Sequence, residues 1–212
     1  MTPAQQLAFW ADQLRDITAN GHRFANNPYD RDNYERIRQI ALEMIALATG
    51  DALADLEPLR DTVFSRSTPF TTGDAAVIDE EGRMLLIRRA DNKQWAMPGG
   101  ALCVGETPAE GVVREVLEET GIHCEAIAFV GIFDSRFLKV KWRHQLYMQI
   151  FLCRPLEHEP TAPPSHAQEV LETGWFREAE LPEDLDLGHR DRLLYAFRFW
   201  RGEVGTYWEG MG

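Results

Sequence analysis

Between Gly100 and Ile122 the chain reads GALCVGETPAEGVVREVLEETGI, and no other stretch of its 212 residues restricts the fold so tightly. Thr107 is followed by Pro108 and, three residues on, by Glu110. That is a capping box with proline at the first helical position, so a helix is predicted from Thr107 to Thr120. At about 3.6 residues per turn, Glu115, Glu118 and Glu119 share one face, while Ala109, Val113, Val116 and Leu117 lie opposite. Like charges at this spacing cost a few tenths of a kcal/mol per pair, and burial would cost more. Something positive is therefore expected among the carboxylates.

Hard oxygen donors without neighbouring Cys or His point to Mg²⁺ or Mn²⁺, and Mg²⁺ typically shares its shell between a few carboxylates and substrate phosphates. The acidic face thus predicts phosphoryl chemistry. Arg114 can pair with Glu110 or Glu118 and so hold a carboxylate in one rotamer. Upstream, Met97-Pro98-Gly99-Gly100 forms a glycine loop whose backbone can approach a metal or phosphate closely.

Helical periodicity dominates the N-terminal part. Leu7, Trp10, Leu14 and Ile17 make one stripe on a helix from Pro3 to Asn20, ended by Asn20-Gly21. A second helix is predicted from about Asp32 to Ala48, with Ile37, Ile40, Ala41, Met44 and Leu47 on one face and Gly50 as its stop. Two helices cannot enclose a core alone, so this segment must dock on the next domain or on a second copy. The boundary is placed within Asp51 to Thr68, giving a helical extension over 1–66, a main domain over 67–202 and a loose tail over 203–212.

After Thr72 the signals become strand-like. Ala75 to Ile78 and Met84 to Ile87, joined by Glu80-Glu81-Gly82, read as a β-hairpin, and Ala126 to Phe133 and Leu146 to Leu152 as further strands. With helices at Thr107 to Thr120 and His189 to Phe199, the fold class is α/β.

Several classes of partner are disfavoured by composition. A net charge of -12 argues against nucleic acid or an anionic membrane face. Three cysteines without CxxC spacing suggest neither a disulfide framework nor a zinc knuckle. The N-terminus lacks the pattern of a signal peptide, and the most apolar stretch, Ile37 to Thr49, is shorter than the roughly 20 residues a membrane helix needs. A cytoplasmic location is expected.

The spacing of Gly100, Glu106, Arg114-Glu115, Val116, Glu118-Glu119, Gly121 and Ile122 resembles the Nudix box at every defining position. The resemblance covers about residues 70 to 200 and implies an α/β/α sandwich around a mixed sheet. It implies metal ligation by Glu115, Glu118, Glu119 and the Gly99 carbonyl, with Glu106 as a supporting carboxylate and Arg114 orienting Glu115. Glu118 and Glu119 are also candidate catalytic groups, since the general base can be a box glutamate. From outside the box the candidate base is Glu169, with Glu172 as its rival, and either could equally be a solvated loop acid.

The run NNPYDRDNYERIRQIALEMIA is similar to the helical extension of bacterial Nudix enzymes acting on CDP-choline and ADP-ribose. That implies a homodimer and a small nucleotide-derived substrate. The expected reaction cleaves a nucleoside diphosphate linked to a second group X into a nucleoside monophosphate and phosphorylated X. Phe137 stands where family ADP-ribose hydrolases often carry proline, which weakens that substrate. Triphosphate sanitation and a non-catalytic nucleotide sensor are the alternatives.

Arg88 and Arg89 could clamp a substrate phosphate, one of them facing it and the other solvent. Trp95, Phe133 and Trp142 are expected to pack rather than stack on a base, and His144 to be a strand-edge or core histidine.

Overall fold

The computed structural model describes residues 2–62, 64, 70–137, 146–161 and 163–209. The expectations for Trp142 and His144 lie outside the described residues. The chain divides into two compact units, residues 1–68 with 103–105 and residues 69–102 with 106–212.

The first unit is helical. Helix α1 (Pro3–Phe24) opens with a Thr2/Gln5 capping box, and α2 (Pro28–Thr49) with Asn27 accepting from the Asp30 amide at 2.9 Å. Gly50 ends α2 at φ +78, the left-handed conformation that favours glycine. Helix α3 (Leu53–Thr62) follows. Ala11, Ala41, Leu42, Leu56 and Phe64 form the core of the unit.

Two helix boundaries differ from expectation, for identifiable reasons. Gly21 does not stop α1; a Cβ there would lie 2.2 Å from the Tyr34 ring, so this glycine lets α2 approach closely in mid-helix. Helix α2 begins at Pro28 rather than near Asp32 because Asn27-Pro28 supplies both cap and first-turn proline.

The second unit has two sheets. One runs β4-β1-β6-β5, formed by β1 (Phe70–Val77), β4 (Gly99–Ala101), β5 (Cys124–Asp134) and β6 (Leu146–Pro155). Strand β1 is parallel to β6 and antiparallel to β4, so this sheet is mixed. The other runs β3-β2-β7, formed by β2 (Arg83–Arg89), β3 (Trp95–Ala96) and β7 (Val170–Arg177), all antiparallel.

The predicted hairpin of β1 with β2 therefore survives only at its base. Asp79 accepts from the amides of Glu81 and Arg83 at 2.9 Å each, and Ile78 bridges Met84. Beyond that turn the strands part, because both edges of β1 are taken by β4 and β6 and both edges of β2 by β3 and β7.

Successive side chains of β1 enter opposite cores, as a strand buried on both faces requires. Ala75 and Val77 join Val112 and Val116 of α4 (Pro108–Thr120), whereas Ala76 and Ile78 join Leu193, Ala196 and Phe197 of α5 (Leu187–Trp200). One helix thus covers each face, giving an α/β/α sandwich. Trp95 is buried edge-on to Phe176, and Phe133 stacks on Tyr207, so both aromatics pack.

The segment expected to be a loose tail returns to the sheet. The Tyr207 amide donates to Val130 O at 2.9 Å, and its carbonyl accepts from the Ile132 amide at 3.0 Å. Gly131 lets it approach, since a Cβ would lie 2.5 Å from Tyr207 O. No helix among the described residues is long and apolar enough to cross a membrane.

Candidate active site

Helix α4 starts at Thr107, whose hydroxyl accepts from the Glu110 amide at 3.2 Å while the Glu110 carboxylate accepts from the Thr107 amide at 2.7 Å. Glu110 is thereby committed to the cap, and Arg114 turns to other acids. It donates to Glu106 at 2.8 and 2.9 Å, to Glu115 at 2.8 Å, to Glu118 at 2.9 Å and to Ala101 O at 3.2 Å. One planar guanidinium thus ties the glycine loop, Glu106 and two box glutamates into one array. These hydrogen bonds raise the Arg114 pKa, with Glu106 the largest contributor.

Glu115 and Glu119 are buried at 8% and 6% exposure. Burial raises the pKa of Glu115, and pushes Glu119 up to about 8 despite the Gly99 amide, which donates to its carboxylate at 2.9 Å. Gly99 has φ +156, and a Cβ there would meet Gly73 O at 2.3 Å and Asp74 Cα at 2.7 Å. At Gly100 a Cβ would lie 2.8 Å from the Glu115 carboxylate. Only glycine lets the loop pass so close to the acids.

Ligand atoms of Glu115, Glu118 and His166 lie within 4.8 Å of one another. His166 is held by its amide, which donates to Glu118 O at 2.8 Å. Its place in a loop carries no spacing signal, and sequence reasoning missed it. Two carboxylates that share one arginine, with an imidazole beside them, fit a divalent cation.

The cleft beside this helix has a volume of about 690 Å³. Gly99, Gly100 and Glu119 form one part of its lining, and Arg89, Gln168 and Glu169 another. Arg89 is paired with Asp91 at 2.7 Å. Arg88 does not line the cleft: one residue along the strand, it is held by Glu172 at 2.9 Å and by Lys93 O at 3.0 Å. Alternation along β2 separates the two arginines. Glu172 is committed to Arg88, whereas the exposed Glu169 carboxylate makes no ion pair among the described residues.

Asp74, His189 and Arg192 complete the cleft. Arg192 is 1% exposed, pairs with Asp74 and donates through Nε to Gly188 O at 2.9 Å. Sequence reasoning missed all three; the available sign was an acid in the apolar β1 and two basic residues at the start of an apolar helix.

A glycine loop and an acidic helix set into an α/β/α sandwich define a class, the hydrolases that handle phosphates through a bound cation. The NUDIX domain model matches residues 70–196, and the chain belongs to the Nudix hydrolase family. Residues 5–59 match a second model, described as the UDP-X-like, N-terminal oligomerisation domain.

Among curated relatives, a MutT-like protein of Streptomyces ambofaciens is 43% identical over 57% of this chain and 71% of its own. A Bacillus subtilis protein provisionally named an ADP-ribose pyrophosphatase is 31% identical over 59% of this chain. The match spans 60% of the Bacillus protein, less than two thirds of its length. Among solved structures, a UDP-X diphosphatase superposes over 97% of this chain and 99% of its own, with a TM-score of 0.61 at 24% identity, a likeness of fold.

Proposed function

We propose that this protein hydrolyses the pyrophosphate bridge of a nucleoside diphosphate linked to a second group X, with Mg²⁺ or Mn²⁺ as the cation. Water enters, one P–O–P bond breaks, and a nucleoside monophosphate and phosphorylated X leave. The observation that carries this reading is the cleft, which joins the glycine loop and Glu119 of α4 to the start of α5 and has room for more than a pyrophosphate. The names of the N-terminal model and of the Bacillus relative agree with it, and they place UDP-linked compounds beside ADP-ribose and CDP-choline as substrates to test.

Glu115, Glu118 and Glu119, with the Gly99 carbonyl, would hold a divalent cation, which when bound would supply positive charge to phosphate oxygens and acidify water. Arg114 keeps Glu115 and Glu118 oriented. Glu169, with its carboxylate unpaired at the cleft, takes the proton from the attacking water in preference to Glu172. Arg89 is placed to meet a phosphate by exchanging Asp91 for it. The helical extension serves dimerisation.

The test is phosphate release from UDP-sugars, CDP-choline, ADP-ribose and nucleoside triphosphates, with Mg²⁺ or Mn²⁺ and a phosphatase that acts on monoesters. Monoester products from a diphosphate-linked compound are expected. Turnover of triphosphates alone would move the protein to sanitation, and binding without turnover would make it a sensor.

A further inference from the structure

The start of α5 places in the cleft an imidazole that the reaction above does not use. His189 is 7% exposed and lines the cleft, yet its Nδ1 is buried with no hydrogen-bond partner among the described residues. A buried nitrogen left without a partner is a standing cost to the fold. It persists here because the helix start is pinned. The His189 amide donates to Asp186 O at 2.9 Å, and the Asp186 carboxylate caps Gly188 at 2.7 Å and accepts from Asn92 at 2.8 Å.

The surroundings select the chemistry of the missing partner. Burial first, then the positive charges of Arg192 and Arg89, hold His189 well below the usual imidazole range, so the ring is neutral. A neutral imidazole offers one donor and one acceptor, which suits an amide, carbonyl or hydroxyl edge better than a phosphate. Nearby lining is apolar, from Met97, Leu146 and Met148, whereas Gly99, Gly100 and Glu119 make the phosphate-handling part. A neutral donor–acceptor group in a lining that includes apolar Met97, Leu146 and Met148 fits a nucleobase.

We propose that His189 is a specificity residue that hydrogen-bonds the nucleobase of the substrate, leaving the pyrophosphate to the glycine loop and α4. This rests on the reading of the substrate as a nucleoside diphosphate derivative. It gives α5 a role in choosing which nucleoside enters.

The test uses the whole protein with Mg²⁺, titrated calorimetrically with UMP, CMP, AMP and inorganic phosphate, in the wild type and in His189→Phe and His189→Gln. His189→Phe is expected to weaken the preferred nucleotide on the order of tenfold while leaving inorganic phosphate unchanged, with His189→Gln recovering part of the loss. Imidazole ¹⁵N signals of wild-type His189 should move with that nucleotide and not with phosphate. Equal weakening of phosphate, or unchanged nucleotide binding in either folded variant, overturns the proposal. Should both variants fail to fold, ring signals unmoved by nucleotide overturn it. If the wild type binds none of the nucleotides, the proposed function has failed; if it binds them and His189 is indifferent, only this inference has.

Discussion

Glu119 carries a cost that its position explains. A carboxyl whose pKa rises from 4.5 to about 8 on folding destabilises the fold as soon as pH exceeds 4.5, and the penalty levels off above 8. In metal-free protein, Glu119→Gln is therefore expected to raise the melting temperature relative to wild type by a margin that grows between pH 5 and pH 8. Calorimetry with a chelator present measures it. Turnover of the same variant should fall by about a hundredfold or more if Glu119 serves as the cation ligand proposed above. Arg114→Ala, by contrast, frees Glu106, Glu115 and Glu118 from their common partner, and a loss of about 10–100-fold in cation affinity or activity is expected. The acids and Arg114 were legible because helical spacing gathers them on one segment. His166, Asp74, His189 and Arg192 were not, because loop closure and sheet topology bring them in from other parts of the chain.

At the level of elements, local chemistry was readable and partnership was not. The Thr107 cap announced α4 to within a residue, and Thr107→Ala is expected to cost about 0.5–2 kcal/mol in urea unfolding. Gly21 looked like a stop, yet its lack of a side chain serves Tyr34 across the helix pair. Strand-forming residues on either side of Gly82 were correctly seen, but which neighbours they would take depends on residues far along the chain, and their pairing differed from a simple hairpin. Gly131→Ala tests one such distant pairing. A methyl 2.5 Å from Tyr207 O should detach the C-terminal segment, visible as faster amide exchange at Tyr207 and Ile132 with the rest of the sheet protected.

Across the whole molecule, the sandwich and its helical extension were both expected, and the exposed residues of the extension bear on assembly. Trp10, Ile17 and Phe24 recur every seventh residue along α1 at 51%, 53% and 58% exposure, an unusual apolar line for a helix facing water. If the extension joins two copies, Ile17→Glu should lower the molar mass seen by light scattering to that of one chain while the melting of the Nudix domain stays close to wild type. The buried pair of Asp74 and Arg192 acts over another kind of distance. Its partners lie 118 positions apart in sequence, one in β1 and one in α5. A nascent chain on the ribosome would have its glycine loop and acidic helix made long before Arg192 emerged. Until then Asp74 would lie beneath the loop without its counter-charge, so the cleft can close only when synthesis has passed the final helix.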